Sequence, residues 1–312
     1  MSDQILVTGG TGFIGQYLVR KLIAGGHRPV VTCRSDPPPE SGANFICLDI
    51  TDSENLEDIF RTVRPEAVVH LAGVTGRDDR DGTLCNKVNF LAAKHVLSVC
   101  TDIGVKRIVM LGSAAEYGHQ PTPFRENMPV CPVSAYGISK ANATAFAMEA
   151  HSQVGLPVTV LRVFSAYGPG QPSKMFLPQL VAHAIQNRRF EMSDGLRRRD
   201  FVHVRDVANA IVEALDTDAA IGRVINVGGG RGVELGSLAR EVWERCRVDR
   251  GLLSINALSS SGDDRFDTEA NISLAAELLS WTPGPGILEL DENLDEMISG
   301  LRSELRAHKT TI

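Results

Sequence analysis

A tyrosine and a lysine one helical turn apart are the residues of this chain best suited to proton transfer. Tyr136 and Lys140 stand in the segment Tyr-Gly-Ile-Ser-Lys, and in a helix this spacing places both side chains on one face. A tyrosine hydroxyl ordinarily loses its proton near pKa ~10. A neighbouring ammonium, assisted by a positively charged nicotinamide ring, favours the phenolate and so lowers the pKa of the phenol. We therefore expect Tyr136 to act as general acid or base at a carbinol or carbonyl group that exchanges a hydride.

A glycine-rich segment near the start of the chain is suited to hold the cofactor that such chemistry needs. The pattern Thr8-Gly-Gly-Thr-Gly-Phe-Ile-Gly15 follows a short apolar run and begins an amphipathic stretch. Glycines at a strand-to-helix turn let a pyrophosphate approach the backbone, and the helix N-terminus supplies free N–H groups. The sequence therefore predicts a dinucleotide site, whose contacts in this turn are Gly9, Gly12, Phe13 and Ile14.

Residues at the ends of the next three strands should decide which dinucleotide binds. Arg34 follows the second strand, where an acidic residue would accept hydrogen bonds from the ribose hydroxyls of NAD. An arginine suits the 2′-phosphate of NADP instead, so NADP(H) is favoured and NAD is possible. Asp49 is suited to the exocyclic amine of adenine, and Ile50 to the face of the ring. The residues after the fourth strand, where the backbone should pass close to the cofactor, are Leu71, Ala72 and Gly73.

Short apolar runs alternate with amphipathic stretches through the first two-thirds of the chain. This alternation predicts an α/β fold with a doubly wound parallel sheet, the Rossmann fold, because apolar strands between helices are typical of sheets covered on both faces. The predicted strands are Ile5–Val7, Val30–Thr32, Phe45–Cys47, Ala67–His70, Arg107–Leu111 and Val158–Leu161, and the predicted helices lie near 13–24, 53–63, 83–103 and 135–153.

The alternation breaks beyond about residue 170. We therefore expect a dinucleotide-binding domain over residues 1–170 and a smaller C-terminal α/β lobe, mainly for substrate, over residues 171–312, with the chain free to cross between them. Ligands of open α/β sheets bind outside the carboxyl ends of the strands, where the strand order reverses. The active site should therefore be the cleft between the two lobes.

Composition argues against several other classes of protein. The 312 residues carry a net charge of −6, which disfavours nucleic acid or an anionic membrane as partner. No apolar run approaches the ~18 residues of a membrane span, and the chain opens directly into a strand pattern instead of a secretory leader. Six scattered cysteines without a Cys-x-x-Cys pair indicate a reducing cytoplasm. We expect a cytoplasmic protein that binds no metal.

The combination of these segments resembles the extended short-chain dehydrogenase/reductase family of nucleotide-sugar epimerases, dehydratases and reductases. The resemblance covers about residues 4–290. Its motifs are Thr8-Gly-Gly-Thr-Gly-Phe-Ile-Gly15, His70-Leu-Ala-Gly73, Gly112-Ser-Ala-Ala-Glu-Tyr-Gly118, Tyr136-Gly-Ile-Ser-Lys140, Leu161-Arg-Val-Phe-Ser-Ala-Tyr-Gly-Pro169, Arg199-Asp-Phe-Val-His-Val-Arg-Asp206 and Ile225-Asn-Val-Gly228.

The resemblance implies roles for the catalytic residues. Ser113 should hydrogen-bond the reacting oxygen beside Tyr136, which transfers the proton. Lys140 should hold the nicotinamide ribose and lower the pKa of the tyrosine, and Phe164 should contact the cofactor. The two helices around 89–99 and 135–151 should pair with their counterparts in a second copy, which predicts a homodimer built on a four-helix bundle.

The resemblance also implies a nucleotide-sugar site. Arg199 corresponds to an arginine that faces the substrate phosphates. Ser165 stands where the family usually has an asparagine near the sugar diphosphate, and Arg265 is placed to take over that contact. Lys174 is placed to cover the nucleotide base, and Thr75 to touch the sugar ring.

One segment bears on the reaction type. Ser113 is followed by Ala114 and Ala115, whereas the family's 4,6-dehydratases carry acidic residues there, and Glu116 comes one place too late. A dehydratase is therefore disfavoured. We favour NADP(H)-dependent reduction of the 4-keto group of a nucleotide-diphospho-6-deoxy sugar, with Tyr136 as general acid. The alternatives are a nucleotide-sugar 4-epimerase with tightly bound NAD and, less favoured, a dinucleotide-responsive binding protein, because a sensor needs no proton-transfer residues.

Overall fold

A seven-stranded parallel sheet runs through the centre of the protein. The computed structural model describes residues 4–34, 42–75, 79, 82–258, 266–289 and 291–310. The strands, in chain order, are β1 (Ile5–Thr8), β2 (Val30–Cys33), β3 (Asn44–Cys47), β4 (Ala67–His70), β5 (Arg107–Ser113), β6 (Val158–Val163), β7 (Ser165–Tyr167), β8 (Phe190–Glu191), β9 (Arg198–His203), β10 (Val224–Val227), β11 (Gly232–Glu234) and β12 (Leu253–Ser254).

The helices cover both faces of this sheet. They are α1 (Phe13–Ala24), α2 (Ser53–Val63), α3 (Thr83–Cys85), a π-helical segment (Asn86–Ala92), α4 (Ala93–Ile103), α5 (Ala135–Val154), α6 (Phe176–Ile185), α7 (Val204–Asp216), α8 (Leu235–Cys246), α9 (Ser273–Leu279) and α10 (Asp291–Thr310), with single 3₁₀ turns at Ala114–Glu116, Asp218–Ala220 and Arg250–Leu252. Within the described part of the chain, no helix is long and apolar enough to span a membrane.

Each face of the sheet has its own core because successive strand residues point to opposite sides. Ile5 and Val7 of β1 pack in the cluster formed with α1, α7 and α9. Leu6, between them, packs on the other face with α2, α4 and α5. Strands buried on both faces read as continuous apolar runs. The six predicted strands are confirmed as β1–β6, although β3, at the edge of the sheet, is partly exposed.

The order of strands across the sheet is β10-β6-β5-β4-β1-β2-β3. The direction of winding reverses between β1 and β4, so the carboxyl ends of these two strands form the crevice in which a ligand is expected. The seventh strand, β10, comes from the part of the chain beyond residue 170, and α7 packs beside α1 on the same face. The chain therefore crosses back into the Rossmann sheet after it has begun the smaller lobe.

The smaller lobe has its own strands and its own core. β7, β9 and β11 form a three-stranded sheet, and β8 pairs with β12. A third apolar cluster, which includes the fully buried Trp243, joins α6, α8 and α10. Phe164 alone separates β6 from β7, so the chain passes directly from the central sheet into this lobe.

A buried carboxylate fastens the lobe to the loop that follows β10. Asp200 of β9 is fully buried and accepts backbone N–H groups from Gly229, Gly230 and Ala270. Its own N–H donates to the hydroxyl of Thr268. Burial raises the pKa of Asp200 to about 6, although the three N–H donors lower it.

We expect Asp200→Asn to reduce the free energy of unfolding by roughly 2–5 kcal/mol, because the amide leaves buried backbone N–H groups without an acceptor. Urea unfolding at neutral pH measures this loss. The raised pKa of Asp200 also stabilises the fold at acidic pH, since an unfolded aspartate titrates near ~3.9. That contribution is complete below about pH 4 and is lost as the pH rises through 6. The difference in the free energy of unfolding between wild type and Asp200→Asn should therefore be larger at pH 5 than at neutral pH. A difference that does not change with pH would contradict the raised pKa of Asp200.

Candidate active site

The turn between β1 and α1 has the shape of a phosphate-binding site. Gly9 has φ of +70°, and a Cβ there would lie 2.6 Å from the backbone N of Ala72. A Cβ on Gly15 would lie 2.4 Å from the carbonyl oxygen of Gly9, so the turn closes tightly. α1 begins after Gly12, and no side chain caps its N-terminus. The N–H groups of the first turn, from Phe13 and Ile14 onward, therefore point to a ligand, and the residues present fit the pyrophosphate of a dinucleotide.

The residues predicted to bind the adenosine half lie at the ends of β2 and β3. Arg34 is exposed directly after β2, and Asp49 is exposed after β3. A backbone hydrogen bond from Thr51 is the main cause of a lowered pKa at Asp49, and the charge of Arg34 lowers it further. Arg34 is therefore within electrostatic reach of Asp49. Ile50 is buried and packs in the core on the face of the sheet that α2, α4 and α5 cover.

The loop after β4 is held by an amide that the sequence did not reveal. Asn89, in the π-helical segment, is buried, and its Oδ1 accepts the N–H of Val74 at 2.8 Å. Its Nδ2 donates to the carbonyl of Val74 at 3.0 Å and to the hydroxyl of Ser139 at 3.1 Å. These bonds tie the segment Leu71–Thr75 to α5. A Cβ on Gly73 would lie 3.5 Å from Nζ of Lys140, so the loop reaches the predicted catalytic lysine.

The start of α5 places Tyr136 beside Ser113. The hydroxyl of Ser134 caps the helix by accepting the N–H of Gly137. A Cβ on Gly137 would lie 2.6 Å from the carbonyl oxygen of Ala115, so the helix packs closely against the 3₁₀ turn that follows Ser113. The side chain of Ser113 lies close enough to hydrogen-bond the phenol of Tyr136. The structure therefore brings the three predicted catalytic residues together, since Lys140 follows Tyr136 by one turn.

Burial shifts the pKa values of both Tyr136 and Lys140. Burial raises the pKa of Tyr136, whereas the hydrogen bond with Ser113 lowers it. Burial also lowers the pKa of Lys140, whose Nζ donates to the carbonyl of Leu111 at 3.0 Å. We expected a lowered tyrosine pKa from Lys140 together with a positive nicotinamide ring. Within the chain itself burial is the larger effect, so the net shift of the Tyr136 pKa is upward.

The histidine His70 lies near Lys140, at the end of β4. His70, at the end of β4, is buried, and its Nδ1 is 2.7 Å from the hydroxyl of Thr8 at the end of β1. Burial first, and then the charge of Lys140, lower the pKa of His70 to about 3. The imidazole is therefore uncharged at neutral pH. The charge that acts on this buried imidazole comes from Lys140.

The predicted substrate residues lie partly in the second lobe, and Thr75 lies in the loop after β4. Ser165 begins β7 opposite Phe201 of β9 and is half-buried. Arg199, also half-buried, donates to the carbonyl of Phe266, and its guanidinium lies 5.5 Å from the centre of that ring. Lys174 and Thr75 are exposed in loops. Arg265 lies outside the described residues. The contacts expected between these side chains and a nucleotide sugar stay predictions.

These features are shared with a known family. The sequence model of the NAD dependent epimerase/dehydratase family matches residues 5–228. The chain belongs to this family. It is therefore an enzyme of the extended short-chain dehydrogenase/reductase type, as its motifs indicate.

Family members with different reactions are comparably similar to this chain. A dTDP-6-deoxy-L-talose 4-dehydrogenase (NAD(P)(+)) of Kitasatospora kifunensis is 28% identical, over 90% of this chain and 91% of its own length. A dTDP-glucose 4,6-dehydratase of Streptomyces griseus is 30% identical, over 86% of this chain and 87% of its own. Nucleotide-sugar chemistry is common to both, and the reaction is not.

Solved structures of family members have the same fold. UDP-glucose 4-epimerase of Thermotoga maritima, crystallised with UDP-glucose, superposes with a TM-score of 0.88 at 30% identity, covering 97% of this chain and 99% of its own. MoeE5, in complex with UDP-glucose and NAD, gives a TM-score of 0.86 at 28% identity, with coverage of 97% and 99%. The Rossmann fold predicted for this family member is thereby confirmed.

Three features of this site were missed or only partly foreseen in the sequence. Asn89 was read as part of an ordinary helix, because a π-helical segment leaves no distinct pattern in composition. Asp200 is part of a family motif, yet its three backbone contacts depend on loops that are distant in sequence. Glu116 stands one place away from the acidic positions of the dehydratases in the sequence, and its pairing with Arg162, in a fully buried position, was not foreseen.

Proposed function

We propose that the protein reduces the 4-keto group of a nucleotide-diphospho-6-deoxy sugar with NADPH. The observation that carries this proposal is the placement of Tyr136 beside Ser113 and one turn before Lys140, in a site where alanines follow Ser113. Reduction needs a proton donor at the carbonyl oxygen. It needs no additional acid or base at a neighbouring carbon, as water loss does.

The residues of the chain divide the work of this reaction. The bound dinucleotide supplies a hydride to the carbonyl carbon. The phenol of Tyr136 gives its proton to the carbonyl oxygen, so that one C=O becomes one CH–OH. The hydroxyl of Ser113 holds that oxygen in place, and the ammonium of Lys140 stabilises the phenolate that remains. A proton from solvent then restores the tyrosine.

NADPH is proposed over NADH because of Arg34. A guanidinium directly after β2 is suited to a 2′-phosphate, which the ribose of NAD lacks. A charge-assisted contact of this kind is worth about 1.5–3 kcal/mol, or roughly ten- to a hundredfold in affinity.

We expect Arg34→Asp to reverse this preference, because a carboxylate accepts from ribose hydroxyls and repels a 2′-phosphate. Fluorescence titrations with NADPH and NADH measure the two affinities. Arg28→Asp is the matched control, since Arg28 is equally exposed but precedes the opposite end of β2. A wild-type protein that already binds NADH more tightly would contradict our interpretation of Arg34.

A second candidate is a nucleotide-sugar 4-epimerase with tightly bound NAD. The similarity to the epimerase of Thermotoga maritima, at 30% identity over nearly the whole chain, favours it. An epimerase would use Tyr136 first as base and then as acid at the oxygen on C4 of the sugar. It would return its hydride to the substrate and so consume no external cofactor.

The two candidates differ in what they consume. UDP-, dTDP- and GDP-linked 4-keto-6-deoxy sugars should each be mixed with the protein and NADPH. The oxidation of NADPH is then followed by the absorbance of its reduced nicotinamide ring. A reductase oxidises one NADPH for each sugar reduced. Interconversion of UDP-glucose and UDP-galactose without added cofactor, together with NAD retained on the purified protein, would instead establish the epimerase.

We also propose that the protein is a homodimer. Apolar side chains are exposed along one outer face, formed by α3, the π-helical segment and α5. They are Leu84, Leu91 and Ile138, each 46–49% exposed. A second copy would cover them with the same face. Sedimentation velocity should show a dimer that Leu91→Asp with Ile138→Asp converts to a monomer, and a monomeric wild type would refute this.

A further inference from the structure

A buried ion pair lies directly behind Ser113, and the mechanism above does not use it. Glu116 is fully buried, and its Oε2 accepts a hydrogen bond from Nε of Arg162 at 2.8 Å. The side chain of Arg162 is only 4% exposed. Replacing such a pair by apolar residues is often neutral or even stabilising, so packing alone does not account for two charges at this position.

The contacts of Glu116 connect the elements that carry the catalytic residues. Its Oε1 accepts the backbone N–H of Ser113 at 2.8 Å and the hydroxyl of Thr144 at 3.1 Å. Thr144 follows Lys140 by one turn of α5, and Arg162 lies on β6. One carboxylate therefore joins the end of β5, the catalytic helix and the neighbouring strand. Movement of any of them would break a hydrogen bond to a buried charge.

Glu116 also acts on the catalytic pair through its charge. Burial is the main cause of the raised pKa of Tyr136, and the negative charge of Glu116 raises it further. Burial lowers the pKa of Lys140, and Glu116 opposes that effect. The thiol of Cys85 is a further group that acts on Tyr136. Burial raises its pKa to about 11, so it is uncharged at neutral pH.

Arg162 holds the carboxylate in this position. Its guanidinium lies 4.6 Å from the centre of the Tyr117 ring, and the hydroxyl of Tyr117 donates to Asn226 at 2.7 Å. Burial is the largest single effect and lowers the pKa of Arg162, but the charge of Glu116, the charge of Tyr117 and the hydrogen bonds with both together raise it. The guanidinium therefore stays charged, and Glu116 is fixed between it and the N–H of Ser113.

We propose that Glu116, held by Arg162, is a positioning residue that fixes Ser113 and keeps the phenol of Tyr136 protonated until the substrate oxygen accepts the proton. The proposal rests on the proton-transfer role given to Tyr136 under the proposed function. The buried pair of Glu116 and Arg162 thereby favours reduction, because Tyr136 must carry its proton before it can act as an acid.

The ionisation of Tyr136 can be followed without knowing the substrate. The protein contains four tyrosines, so tyrosine labelled with ¹³C at Cζ alone should give four signals in the NADP⁺ complex, and the signal lost in Tyr136→Phe identifies Tyr136. In Glu116→Gln, which keeps an acceptor oxygen but removes the charge, Tyr136 should titrate at lower pH than in wild type. On an active substrate, kcat should fall roughly ten- to a hundredfold with KM little changed.

Two further variants separate this role from a structural one. Glu126→Gln is the matched control, because Glu126 accepts the N–H of Asn226 in the same buried network but does not contact Ser113 or Thr144. It should leave the titration of Tyr136 unchanged. If Glu116→Gln unfolds because Arg162 is left unpaired, Glu116→Gln with Arg162→Met removes both charges and should show the same downward shift.

An unchanged titration of Tyr136 in either folded Glu116 variant would overturn the proposal. A shifted titration in a protein that turns over no nucleotide sugar would support this role for Glu116 and refute the proposed function. The two conclusions are therefore tested separately.

Discussion

Tyr136→Phe should lower turnover by roughly 10²–10⁴-fold, the usual scale for the loss of a general acid. The phenyl ring keeps the shape of the side chain but has no proton to give and cannot hydrogen-bond Ser113. NADPH oxidation with the preferred 4-keto sugar measures the loss. The affinity for NADPH should stay near the wild-type value, because Lys140 and the glycine turn at Gly9 and Gly12 are unaffected.

Tyr167→Phe provides the matched control for this experiment. The hydroxyl of Tyr167 is buried and has no hydrogen-bond partner within the described part of the chain. Its removal breaks no bond and should leave turnover and thermal stability close to wild type. Near-normal turnover in Tyr136→Phe, with the protein folded and NADPH bound, would refute the proton-transfer role.

The sheet could be predicted from the sequence largely because its strands are apolar on both faces. β1 to β6 stand as continuous apolar runs between amphipathic stretches, and the helices near 13–24 and 53–63 have the predicted bounds. The seventh strand was recognised only as part of a motif. β10 has four residues and carries Asn226 in its interior, and this buried polar residue interrupts the apolar pattern.

The site divides in the same way. Residues close in sequence, such as Tyr136 and Lys140, could be placed by spacing alone, because a helix fixes their relation. Glu116 and Arg162 are separated by 46 positions, and their pairing depends on β5 and β6 lying side by side. The sequence showed that Glu116 is displaced from the acidic position of the dehydratases. The sequence could not show which group the carboxylate of Glu116 contacts.

Arg199→Ala should weaken nucleotide-sugar binding roughly ten- to a hundredfold while sparing NADPH. Arg199 lies on β9 of the smaller lobe, and its guanidinium is stacked near the ring of Phe266. Bidentate contacts with phosphates are those that arginine makes best. A charge-assisted contact with a diphosphate is worth about 1.5–3 kcal/mol.

Arg199 also donates a hydrogen bond to the carbonyl of Phe266. Arg199→Ala removes this bond, and the displacement of Phe266 is an alternative cause of weaker binding that involves no phosphate. Calorimetry with UDP, dTDP and GDP, and then with the nucleoside of the tightest binder, separates the two effects. A phosphate contact predicts a large loss for the diphosphate and a small one for the nucleoside, because the nucleoside has no charge to recognise. Arg197→Ala, just before the same strand, is the control and should bind both ligands normally. Equal losses for both ligands in Arg199→Ala would assign the residue to the support of Phe266 and remove the main argument for a nucleotide-linked substrate at this position.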